Sequence, residues 1–140
     1  MKKLLVVLVL GMTMFSCSKE DVQENNLIDN MMDNIYMSEY GSNGYEFITE
    51  TTLNEVYFDS AEDCNYRSFL ATGDYEWYAV ESTKDVHRIK TSNWTDWELE
   101  FTKVSDNSIT FRSRVSLTAG GGDWTVPYKL YVNNEITFCD

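Results

Sequence analysis

The sequence predicts a single, mainly β domain: an antiparallel meander that either closes into a small barrel or folds over as a β-sandwich. Three observations carry this expectation. From Tyr45 onward apolar residues recur at every second position, the spacing that lines one face of a pleated strand. Aromatic and β-branched residues dominate that region, and the chain holds 4 Trp, 9 Tyr and 7 Phe, side chains that suit half-buried strands. The polar triplets Thr72-Gly73-Asp74, Ser105-Asp106-Asn107 and Asn133-Asn134-Glu135 separate consecutive alternating runs, which marks hairpins between sequence neighbours. A meander of eight or nine strands removes its exposed edges by closing.

The chain starts differently. Lys2 and Lys3 precede an apolar run from Leu4 to Leu10, then Phe15-Ser16-Cys17. A basic start, a short apolar stretch and a small residue before the cut are the requirements of an export signal, too short for a membrane-spanning helix. Residues 1–16 are therefore expected to be a signal peptide. This segment resembles the signal of bacterial lipoproteins, in the relaxed form typical of the Bacteroidota, with Ser16 before the cysteine and Met14-Phe15 ahead of it. The resemblance implies that Cys17 is lipidated and becomes the mature N-terminus. Lys19-Glu20-Asp21 looks like the signal that routes such lipoproteins to the outer face of the outer membrane. Anchoring by several acyl chains is effectively stable.

Residues 17–26 are polar and suit a lipidated tether. Leu27, Ile28, Met31, Met32, Ile35 and Tyr36 then recur at intervals of three and four, which predicts a short amphipathic helix over 27–40 that packs on its own domain. The β domain is expected over 41–140, with strands at 45–52, 54–59, 66–71, 75–81, 86–91, 95–104, 108–117, 124–132 and 135–139.

One hairpin can be derived in register. Trp97, Leu99 and Phe101 share a face, as do Ile109, Phe111, Ser113 and Val115, and apolar must oppose apolar in an antiparallel pair. Pairing Val104 with Ser108 satisfies this, leaves a three-residue loop with Asn107 in the left-handed position, and sets Glu98 opposite Arg114 and Glu100 opposite Arg112. These cross-strand charges read as exposed register pins worth roughly 0.2 to 1 kcal/mol each. The stretch from Trp97 to Phe111 looks like the late hairpin of the lipocalin-like lipoproteins of Bacteroidota, with Gly44-Tyr45-Glu46-Phe47 standing where that family opens its first strand with a Gly and Trp pair. That likeness implies a small eight-stranded barrel whose interior holds an apolar molecule.

Removing residues 1–16 leaves 124 residues, one domain in size, with 9 basic against 23 acidic residues and a net charge of −14. Such a charge argues against nucleic acid and against attraction to an anionic membrane surface. It keeps an exported protein soluble, or offers a surface to a cation or a basic partner. Cys64 and Cys139 remain in a compartment that permits a disulfide, and they either bridge, closing a loop of about 75 residues, or stay as two thiols. The one histidine, His87, has no Cys or His at ligand spacing, so no metal site is expected. It also lies in the charged run Asp85-Val86-His87-Arg88, which reads as surface. With no activated nucleophile, no phosphate-loop lysine after Gly120-Gly121-Gly122 and no poised carboxylate pair, neither an enzyme nor a cofactor is expected.

The residues singled out for binding are Trp94 and Trp124, both bordering polar loops where a ring could stack on a sugar. Asp59-Ser60-Ala61 resembles the O-glycosylation acceptor of Bacteroidota proteins, which makes Ser60 the candidate modified residue. The expected function is a lipid-anchored, cell-surface binding module for a small apolar or glycan ligand. The alternative is an interaction protein, such as an immunity factor or an accessory subunit of a surface assembly, that meets its protein partner through the acidic surface.

Overall fold

The computed structural model describes residues 25–69, 76–91, 96–116 and 122–140. A six-residue helix, α1 (Leu27–Met32), is followed by nine strands: β1 (Ile35–Ser38), β2 (Asn43–Phe47), β3 (Leu53–Asp59), β4 (Cys64–Phe69), β5 (Trp77–Ser82), β6 (Val86–Thr91), β7 (Asp96–Ser105), β8 (Ser108–Ser116) and β9 (Tyr128–Val132). They form one sheet in the order β4-β3-β2-β1-β9-β8-β7-β6-β5, with every neighbouring pair antiparallel. The mainly β meander is as expected, and the sheet is not closed.

Alternation puts one face of every strand on a common core. β6 shows it cleanly, with His87, Ile89 and Thr91 buried and the residues between them partly exposed. Tyr45 and Phe47 on β2 meet Phe101 on β7 at ring separations of 5.7 and 5.0 Å, so the sheet curls until strands from its two halves touch. Leu53, Ile89, Leu99, Phe101, Ile109 and Leu130 are all at most 1% exposed. Leu27, Ile28 and Met31 of α1 join this cluster and plug one end of the curled sheet, where Leu27 N–H donates to Thr83 O at 2.8 Å.

The helix is shorter than the predicted 27–40. Asn26 N–H donates to Asp29 Oδ2 at 2.9 Å and caps its start, but six residues are too few to hold a helix by backbone bonds alone. After Asp33-Asn34 the chain extends as β1, whose residues pair on both sides, Tyr36 with Tyr45 and with Val132. Two ladders outweigh local helical spacing. Gly44 permits this, because a Cβ there would lie 2.0 Å from Tyr36 O and 2.6 Å from Met37 Sδ.

The expected strand at 135–139 is absent for a related reason. β9 already has β8 on one edge and β1 on the other, so no edge is left for a hairpin partner. The tail instead crosses to β4, where Asn65 N–H donates to Thr137 O and Cys139 N–H to Asn65 O, at 2.8 and 3.0 Å. The hairpin expected around Thr72-Gly73-Asp74 is also overturned: that turn lies outside the described residues, but β4 and β5 stand at opposite ends of the strand order. Nine strictly alternating strands leave those two pointing the same way, which an antiparallel hairpin cannot do.

The β7–β8 hairpin keeps the derived register through Glu100 with Arg112 and Glu98 with Arg114, then slips between Lys103 and Ser105 so that Ser105 pairs with Ser108. The loop is thus two residues with a bulge. Asn107 is not left-handed, since Asp63, at φ 56°, is the one non-glycine residue with positive φ among those described.

Cys64 and Cys139 are bonded, with Cα atoms 5.2 Å apart and a sequence separation of 75. The bridge fastens the tail to the β4 edge beside Arg67, whose guanidinium lies 3.4 Å over the Phe138 ring and pairs with Glu46 at 2.6 Å. Replacing both cysteines with serine is expected to lower the unfolding free energy by about 4 kcal/mol, as loop-closure entropy returns to the unfolded chain. Guanidinium denaturation of the two proteins checks this, and an unchanged midpoint would contradict it.

Candidate functional site

The end of the curled sheet opposite α1 is built from inner-face residues that continue the core pattern outward. Tyr45 pairs with Glu55 and Asn43 with Tyr57, Tyr57 pairs with Tyr66, Tyr128 pairs with Phe111, and Trp77 pairs with Thr91. Trp97 is in phase with Leu99 and Phe101 on β7. Below them the space is filled: Tyr45, Phe101, Phe111 and Tyr128 form a chain of ring contacts at 4.5 to 5.7 Å. A floor of packed rings therefore lies beneath the mouth.

The mouth combines flat apolar faces with a few polar atoms. Tyr57 and Trp97 are 42% and 40% exposed, and Tyr57 stacks on Tyr66 at 5.7 Å. Tyr66 Oη donates to Glu62 Oε2 at 3.0 Å, which holds its ring at the rim. Deeper, the Tyr45 and Tyr128 hydroxyls lie 3.4 Å apart. Burial raises both phenols above the usual tyrosine value, and the nearby Glu55 carboxylate adds to this, so both stay protonated hydroxyls. Glu55 is half-buried on the same face and makes no hydrogen bond or ion pair among the described residues. Trp77 Nε1 is buried and also lacks a partner among them.

The outer face of β5 to β8 is chemically the reverse, because its charges satisfy one another. Arg88 contacts Glu81 at 3.3 Å, Glu98 at 3.2 Å and Glu100 at 3.7 Å. Arg112 Nε donates to Glu100 at 2.7 Å and Arg114 Nε to Glu98 at 2.7 Å. Arg88 Nε is aligned too poorly with Glu98 to form a hydrogen bond, so that contact is Coulombic. Glu98 and Glu100 are 5% and 8% exposed, which corrects their reading as exposed register pins.

Trp124 covers this ladder, with the guanidiniums of Arg112 and Arg114 each 4.6 Å from its ring. The 122–127 segment is held there by Thr125 N–H to Ser113 O and Ser113 N–H to Thr125 Oγ1, at 2.8 and 2.9 Å. Trp124 is therefore engaged with two arginines and sits away from the mouth, and 124–127 are not strand, contrary to expectation.

His87 is fully buried, which overturns its surface reading. Its Nε2 meets Glu50 O at 2.8 Å, its Nδ1 meets Ser82 Oγ at 3.4 Å, and Phe47 packs edge-on at 5.5 Å. Burial lowers its pKa, so the neutral ring ties the loop after β2 to β6. His87 itself has no accessible surface, while Ser82 beside it is half-buried.

Glu62, Cys64 and Cys139 lie within metal-ligand reach of one another, but the disulfide removes both thiolates. Ser60 is exposed in the turn after β3, where Asp59 Oδ1 accepts from Ala61 N–H at 2.8 Å. Cys17, Lys19, Glu20, Asp21 and Trp94 lie outside the described residues. Sequence reasoning missed Glu55 and Tyr57; the available signal was their phase with Leu53, which places a carboxylate on an inward-facing position.

Two substitutions test these assignments. Glu98→Ala strands Arg114 and takes from Arg88 one of its three carboxylates, and is expected to cost about 2 kcal/mol, the worth of hydrogen bonds to a charged group; a cost under about 0.5 kcal/mol, usual for a surface site, would contradict it. For His87, the folded pKa lies below the unfolded value of about 6.5, so the unfolded chain binds the proton first and stability falls as pH drops below that value. Denaturation at pH 7.5 and 5.5 is expected to show that loss in the wild type and a smaller one in His87→Gln, whereas equal losses would exclude a buried neutral histidine.

Comparison with protein-family models, with curated proteins and with solved structures found no match.

Proposed function

We propose that the chain is a lipid-anchored surface protein of the outer membrane, held through Cys17, whose β domain is a non-catalytic binding module that takes a glycan at the aromatic mouth. The observation that carries this reading is the pairing of a filled interior with exposed ring faces directly above it. Tyr45, Phe101 and Phe111 pack on one another in the interior that an apolar ligand of a hollow barrel would occupy, whereas the Tyr57 and Trp97 faces offer stacking surfaces at the rim. Rings of this kind hold sugars through their apolar C–H faces, while the half-buried phenol of Tyr128, bonded to that of Tyr45, supplies a hydrogen bond that fixes orientation. The resemblance of Lys19-Glu20-Asp21 to a surface export signal supports a location where glycans are met, and Ser60 is exposed for a glycan of the protein's own.

Nuclear magnetic resonance titration of the mature chain with a panel of neutral and amino oligosaccharides tests the site. Shifts are expected to gather on Tyr57, Tyr66, Trp77 and Trp97, and Trp97→Ala is expected to weaken binding at least tenfold. Shifts gathered at Trp124, or none at the mouth, would overturn the reading.

A further inference from the structure

From the charge arrangement around the mouth we infer that its ligand carries a protonated amine, which for a glycan means an amino sugar with a free ammonium group. This rests on the mouth being the binding site.

The basic residues outside 1–24 are Arg67, Lys84, Arg88, Lys90, Lys103, Arg112, Arg114 and Lys129. Arg67, Arg88, Lys90, Arg112, Arg114 and Lys129 take the outward phase of their strands: Arg67 pairs with Val56, opposite in phase to Glu55, Lys90 pairs with Glu98, and Lys129 pairs with Thr110. Lys84 sits in the β5–β6 turn, at the α1 end beside Thr83, which binds the start of the helix. Lys103 is at the same end and pairs with Asp106 at 2.8 Å. No basic side chain among the described residues therefore faces the mouth. The segments 70–75, 92–95 and 117–121 contain no Lys or Arg in sequence.

Acidic groups are distributed otherwise. Glu55 is on the inner face of the mouth, and Glu39, Glu62 and Asp63 are exposed in the turns that join β1 to β2 and β3 to β4 at the same end. On the outer face Glu81, Glu98 and Glu100 are matched by Arg88, Arg112 and Arg114. Glu55 has no such match among the described residues, and stands between two ring pairs, Tyr57 with Tyr66 and Tyr45 with Tyr128. A half-buried carboxylate flanked by aromatic faces attracts an ammonium ion twice over, through Coulomb attraction strengthened by partial desolvation and through the negative faces of the rings. Neighbouring carboxylates raise the local cation concentration further.

A matched pair of probes isolates the charge. The trimer of glucosamine and the trimer of N-acetylglucosamine have the same backbone, but only the first carries ammonium groups. Titrating each into the mature chain is expected to give at least tenfold tighter binding of glucosamine trimer, with shifts at Tyr57, Tyr66 and Trp97. Glu55→Gln, close to isosteric, should erase most of that preference. Glu135→Gln makes the same charge change on the tail beyond β9, away from the mouth, and should leave the preference within twofold; Tyr57→Ala, at an exposed ring, should reduce it independently of Glu55.

If both trimers shift the mouth equally in the wild type, the amine inference falls while the glycan site stands. A preference equally sensitive to Glu55→Gln and Glu135→Gln would mean diffuse charge and would also overturn it. A lysine tripeptide that binds the same residues more tightly than the glucosamine trimer would reassign the site to a basic polypeptide, and no shift at the mouth with any probe would remove both readings.

Discussion

The seam between β1 and β9 is the contact on which the rest of the structure depends. It joins β1 to β4 with β5 to β9 through four residues of β1, and the pairs Tyr36 with Val132, Met37 with Tyr131 and Ser38 with Leu130 are its whole register. Without it each half would be a meander with one bare face. With it, the sheet is continuous and curls until Tyr45 and Phe47 reach Phe101. Because nine alternating strands leave β4 and β5 pointing the same way, the seam also determines where the sheet stays open and why the tail, fastened by Cys64–Cys139, guards the β4 edge.

Closure of one end follows from the same geometry. The helix is too short to be stable alone, and it survives because Leu27, Ile28 and Met31 fill the gap that the curled strands leave beside Phe47 and Leu53. The opposite end has no such plug among the described residues, so its inner-face residues stay part-exposed. The two faces thus divide the labour of a strongly acidic chain. Outward charges are neutralised in a ladder under Trp124, and the inward carboxylate of Glu55 at the mouth has no ion pair among the described residues.

Much of the fold was legible in the sequence, because period-two alternation reports burial directly. The β7–β8 register came from the requirement that Leu99 and Phe101 share a face with Phe111, and the structure keeps it apart from the bulge near the turn. What failed were inferences that treated segments as local. Ile35 and Tyr36 fit a helical stripe as well as a strand, and only the free edges of β2 and β9 decide between them. Ile136 and Phe138 alternate like a strand, yet the edge they needed was occupied by β1. His87 looked exposed because its neighbours Asp85 and Arg88 are charged, although its phase with Ile89 pointed inward. For the site, aromatic richness was visible but its location was not: Trp124 borders a polar loop and stacks on arginines, while Glu55 and Tyr57 carry the mouth without any motif.

Amide hydrogen exchange across the seam tests the account most directly. Asn133 N–H donates to Ile35 O, and by antiparallel alternation Met37 and Tyr131 are the pair that exchange bonds between β1 and β9. Their amides are expected to exchange only through global unfolding, as slowly as that of Phe101 in the middle of β7. Exchange within minutes, while Phe101 stays protected, would mean that the two halves are not joined there, and the curled core and its mouth would lose their foundation.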